Sequence, residues 1–73
     1  MEQEVLRLLQ ELNDRIPDDV QADLLGEGII DSFDVANIVS ALEEHFEIEI
    51  PTQEIVPENF KSVTSMAAMV RLI

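Results

Sequence analysis

Apolar residues recur along the first part of this chain at a spacing that a helix gathers on one side. Val5, Leu9, Leu12 and Ile16 stand at i, i+4, i+7 and i+11, and Leu6 and Leu8 widen the stripe. The pattern predicts a first helix from about Glu2 to Arg15. Asn13-Asp14 and Pro17 close it, because proline cannot continue a helix and restricts the residue before it. From residue 17 to residue 30 the periodicity is lost. Pro17, Asp18 and Asp19 are polar, and Val20, Leu24, Leu25, Ile29 and Ile30 follow as spaced apolar anchors that should pin a long loop to the helices. Gly26 and Gly28 supply backbone freedom for a tight turn. A loop this long in a small domain is functional or disordered, and the anchors favour function.

The helical period returns at residue 32. Val35, Ile38, Val39, Leu42 and Phe46 form a buried stripe on a second helix from Ser32 to about Glu47. Asp34, Asn37, Ala41 and Glu44 lie opposite, with Phe33, Ser40, Glu43 and Glu47 on the flanks. Asp31 or Ser32 is the expected N-cap, and Asp34 in the first turn suits the helix dipole. Ile48-Glu49-Ile50 alternates too briefly for a strand in a sheet and reads as an extended segment. Pro51 and Pro57 leave room for one short helical turn. A last helix from Ser62 to Leu72 buries Val63, Met66, Met69 and Val70, with Ser62 as its cap and Arg71 near its negative end. The expected fold is all-α: a single domain over 1–73, a small bundle of three main helices plus one short helix, with a long loop between the first two.

Composition sharpens this picture. A chain of 73 residues buries only about 60% of its unfolded surface, so its core is small. Phe33, Phe46 and Phe60 are the only aromatic residues, and the core must be mostly aliphatic. A large preformed substrate cavity is not expected at this size. There are no cysteines, so any thiol chemistry needs an imported thiol. The acidic, amphipathic start lacks the plan of a signal peptide. No apolar run approaches the roughly 18 residues that span a bilayer. A soluble, cytoplasmic chain without a membrane association is the expectation.

The net charge is −12, and residues 18 to 60 hold twelve acids with no lysine or arginine. The other four acids balance the four bases, so the whole excess surrounds Ser32. Such a field repels nucleic acid and steers basic protein surfaces inward. Glu43, Glu44 and Glu47 could attract divalent cations loosely, but no metal-binding loop pattern is present. His45 is the only histidine and reads as a solvated or partly packed side chain. No nucleophile–base pair, phosphate loop or basic patch is found, and the chain is not expected to be an enzyme.

The residues around Ser32 carry a family resemblance. Asp31-Ser32-Phe33-Asp34 stands where acyl and peptidyl carrier proteins have Asp-Ser-Leu before an amphipathic recognition helix. Gly28-Ile29-Ile30, Leu42-Glu43-Glu44 with Phe46, Ile48-Glu49-Ile50-Pro51 and Phe60-Lys61-Ser62-Val63 match further stretches of that family in order. The chain resembles an acyl carrier protein over nearly its full length. The resemblance implies that Ser32 receives a covalent 4'-phosphopantetheine arm from coenzyme A through a phosphopantetheinyl transferase. The arm then holds acyl or aminoacyl groups as thioesters for fatty acid, polyketide or nonribosomal peptide biosynthesis. It also implies a monomer that does no chemistry itself. Its partners are loading and acyl-transferring enzymes with basic docking surfaces.

The implied docking residues are Phe33, Asp34, Ala36, Asn37, Ser40, Glu43 and Glu44, with Asp31 beside the attachment point. Phe33 replaces the usual leucine and should be an exposed apolar contact. Asn37 and Ser40 depart from the glutamate and methionine common in the fatty-acid type, and Ala36 is smaller than the usual valine. These departures point to a specialised carrier. The alternative is an acidic docking or scaffold module in which Ser32 merely caps a helix.

Overall fold

The computed structural model describes residues 1–73. Its first helix, α1 (Glu2–Leu12), buries Val5, Leu6 and Leu9 along one side. Glu2 and Glu4 lie in its first turn, where carboxylates suit the positive end of the dipole. The helix stops at Leu12, three residues before the expected Arg15. Asn13 takes an extended backbone. Its Oδ1 accepts from the Arg15 amide at 2.9 Å, and its Nδ2 donates to the Ile29 carbonyl at 3.3 Å. A short polar side chain that satisfies nearby backbone groups competes with helix continuation. Leu12, expected on the buried stripe, is instead 48% exposed, whereas Ile16 is buried from outside the helix.

The loop that follows is tied down by backbone bonds as well as by apolar anchors. Leu24 and Ile30 are buried, and Val20, Leu25 and Ile29 are half-buried. The Leu24 amide donates to the Lys61 carbonyl at 2.6 Å. The Thr64 amide and hydroxyl both donate to the Val20 carbonyl. Gly28 turns the chain with φ +71°, a conformation glycine adopts without a Cβ clash. Gly26 has no such φ.

The second helix, α2 (Ser32–Phe46), buries Ile38 and Leu42 fully, while Val35, Val39 and Phe46 are half-buried. It ends at Glu47 in the left-handed region, φ 55° and ψ 50°, where glycine is the usual occupant. A 3-10 turn over Thr52–Glu54 lies between the two prolines, and the short helix α3 (Pro57–Phe60) starts on the second of them, a favoured first position. The last helix, α4 (Val63–Leu72), is capped by Ser62, whose Oγ accepts from the Ser65 amide at 3.1 Å. It packs against α1 and α3, and α1 packs against α2. Phe60, Leu42, Met66, Val63 and Leu9 fill the centre. The fold is all-helical with no strand. No helix is long and apolar enough to cross a membrane.

Candidate functional site

Two candidates for the cap of α2 stood side by side in the sequence, and the fold uses Asp31. Its backbone is extended, at φ −127° and ψ −170°. Its Oδ1 accepts from the amides of Phe33 at 3.0 Å and Asp34 at 3.1 Å. Asp34 Oδ2 accepts in return from the Asp31 amide at 3.0 Å. This reciprocal arrangement satisfies orphan donors of the first turn. Ser32 is the first helical residue, is exposed, and its hydroxyl takes no part in the cap. Buried Ile30, whose amide donates to the Leu24 carbonyl, fixes the chain two residues before it. The serine is thus held by its backbone and free at its side chain.

A groove of about 610 Å³ opens beside Ser32, lined by Leu25, Val35, Ala36, Val39, Ile55, Val56, Pro57 and Phe60. This corrects the expectation that so small a chain holds no large cavity. The space lies between elements and not within one core: α2 forms one wall, and the segment leading into α3 forms the other. Ile55 and Val56 are more than a third exposed, and Phe60 is buried at the base of α3. Nothing in the sequence marked Ile55 and Val56 beyond an apolar pair between prolines.

The other residues singled out from the sequence are dispersed around α2. Phe33 projects outward at 82% exposure. Asp34, Asn37, Ser40 and Glu44 lie on the opposite edge of α2, around a second groove that reaches the end of α1. Ala36 lines the groove of Ser32. Glu43 is half-buried, and its Oε2 accepts from the Ile50 amide at 2.9 Å, so its carboxylate is engaged in holding the segment after α2. His45 sits near the far end of α2, where its Nε2 lies 3.0 Å from Glu4 Oε2 of α1. Thirteen residues separate it from Ser32, about 20 Å along a helix, so no serine–histidine pair forms.

The family described as "Phosphopantetheine attachment site" matches residues 3–70 of this chain. Aminoacyl carrier protein 1 of Bradyrhizobium diazoefficiens is 42% identical over 50 residues, which cover 68% of this chain and 54% of that protein. The D-alanyl carrier protein of Bacillus licheniformis is 39% identical over 54 residues, covering 71% of this chain and 69% of that protein. The match therefore spans about half the length of the first relative. No solved structure matches the chain.

Proposed function

The chain belongs to the phosphopantetheine attachment site family, whose cofactor is a covalently attached 4'-phosphopantetheine, and on that premise we propose that Ser32 is the attachment residue and that the carried group is aminoacyl. One observation carries the choice of residue. Ser32 is an exposed hydroxyl at the first position of α2, and the neighbouring Asp31 has taken over the capping that would otherwise occupy it. Modification of Ser32 therefore leaves the cap in place.

The local chemistry fits the group. The positive end of the α2 dipole favours an anion at Ser32. The adjoining groove is walled by apolar side chains, which suit the aliphatic part of an arm. Asp31 and Asp34 add negative charge at the same helix end, so that preference is partly offset. When bound, the group supplies a thiol that forms thioesters, which this cysteine-free chain lacks. Under a transferase, the Ser32 Oγ forms the new bond to the phosphorus that bears pantetheine, the pyrophosphate bond of coenzyme A breaks, adenosine 3',5'-bisphosphate leaves, and the hydroxyl proton is given up to the transferase or to solvent. The chain then presents its load to successive enzymes at high effective concentration. An aminoacyl load is supported by the names of the two relatives and by Asn37 and Ser40, which stand where the fatty-acid type has glutamate and methionine.

The test is intact mass after incubation with coenzyme A and a broad-specificity phosphopantetheinyl transferase, with Ser32→Ala in parallel. The expected result is a gain of one phosphopantetheinyl group in the unsubstituted chain alone. A folded sample that gains nothing refutes the assignment. Transfer of amino acids but not fatty acyl groups to the modified chain, by loading enzymes of each kind, tests the cargo.

A further inference from the structure

The two walls of the groove beside Ser32 belong to different packed pairs: α2 packs against α1, and α3 packs against α4. Between buried Ile50 and buried Phe60, every residue except half-buried Glu54 and Asn59 is exposed. Apolar burial therefore does little to fix the wall made by Ile55 and Val56. Backbone bonds close the turn between the prolines on itself, with the Glu54 amide donating to the Pro51 carbonyl and the Ile55 amide to the Thr52 carbonyl. Asn59 Nδ2 donates to the Glu54 carbonyl at 2.7 Å, which ties that turn to α3. The tie to α2 is made by one residue. The amides of Glu47 and Ile48 both donate to the Glu43 carbonyl, and the Ile50 amide donates to Glu43 Oε2 at 2.9 Å. No other residue of α2 is hydrogen-bonded to residues 48–60.

We propose that Glu43 is a positioning residue for the site: its side chain, acting as a hydrogen-bond acceptor, holds Ile50 and so sets where Ile55 and Val56 stand across the groove from Val35 and Val39. Residue 50 lies outside every helix, so its amide has no partner supplied by a regular element. A carboxylate oxygen is a strong acceptor for such an amide. Without it the amide must turn to water, and only the buried side chain of Ile50 holds the segment on the α2 side. This part differs from the one that the resemblance gives Glu43, a negative charge for basic partners. Holding Ile50 needs an acceptor oxygen and not a charge. The inference rests on the reading of Ser32 only in what the groove is for. The unmodified chain has the same wall, so the two can fail independently.

The test uses the full chain, labelled with nitrogen-15 and carbon-13, as Glu43→Ala, Glu43→Gln and Glu49→Ala beside the unsubstituted form. Glutamine keeps an acceptor oxygen and drops the charge, whereas alanine drops both. Glu49→Ala removes an equal charge beside Ile50 from an exposed side chain. The readouts are the exchange protection of the Ile50 amide, the backbone order parameters of residues 52–56 and the methyl shifts of Ile55 and Val56. Glu43→Ala should lower protection at Ile50 about tenfold relative to the amides of Leu42 and Met66, the loss of one charge-assisted hydrogen bond. It should also lower the order parameters and move the methyl shifts toward those of an unstructured peptide. Glu43→Gln should restore most of the protection and the order, because a neutral acceptor keeps the bond, and Glu49→Ala should match the unsubstituted chain. A glutamine variant as mobile as the alanine one, or an equal loss in Glu49→Ala, would make charge the cause and overturn the proposal. Unchanged Ile50 protection in Glu43→Ala would overturn it too, as would a freed Ile50 amide with no response at residues 52–56. The same differences should recur in the phosphopantetheinylated chain, and failure of the arm to attach would count against Ser32 alone.

Discussion

Replacing Asp31 and Ser32 in turn separates the cap of α2 from the candidate attachment residue. In the structure, Asp31 Oδ1 accepts from two first-turn amides, and the Ser32 hydroxyl accepts from neither. Asp31→Ala strips a cap, which costs about 1 kcal/mol within a range of about 0.5–2. Ser32→Ala removes an exposed group outside the cap, and should fall within about 0.5 kcal/mol of the original chain. A domain of this size has a stability of roughly 4–11 kcal/mol, so the first loss is readily measured. It corresponds to a fall in melting temperature of about 4–8 °C per kcal/mol. One correction enters, because Asp31→Ala also removes one charge from a chain of net charge −12, which eases repulsion. Asp31→Ser isolates that effect: serine caps well, yet carries no charge. Its stability should lie above that of Asp31→Ala. The assay is urea unfolding followed by far-ultraviolet circular dichroism, at fixed salt. If Ser32→Ala were as destabilising as Asp31→Ala, Ser32 would be a working cap, and the division of labour argued from the hydrogen bonds would be wrong.

Two other outcomes follow from charge and backbone. Twelve uncompensated acids between residues 18 and 60 repel one another, so added salt or millimolar magnesium should raise the melting temperature by screening; a melting temperature indifferent to both would refute a concentrated acidic field. Glu47→Gly should stabilise the fold by about 0.5–1 kcal/mol, because Glu47 holds φ 55° at the end of α2 where glycine carries no Cβ strain; a loss in urea unfolding would show that the Glu47 side chain contributes more than its backbone strain costs.

Much of the architecture was legible in the chain because it rests on local physics. The stripe at Val35, Ile38, Val39, Leu42 and Phe46 marked α2, and its ends were found within one residue. Ser62 was read as the cap of α4 and is. The anchors Leu24 and Ile30 are buried. The end of α1 was misjudged because it depends on Asn13 reaching the Ile29 carbonyl, sixteen residues away. Spacing within the first helix holds no trace of that bond.

The candidate site divides along the same line. Its exposed serine at a helix start, its acidic surroundings and its Gly28 turn are properties of neighbouring residues, and the sequence alone determined them. The choice of Asp31 over Ser32 as cap depended on backbone geometry at one junction. The grooves were decided by tertiary structure alone. Ile55 and Val56 become a wall only when the segment after Pro51 folds back toward α2, and Leu12 becomes a rim only when α1 stops beside Asn37 and Ser40. The physical reason is one of range. Periodicity and capping act within a turn or two of the chain, whereas a cavity is the space left between elements whose approach is set by packing across the whole core.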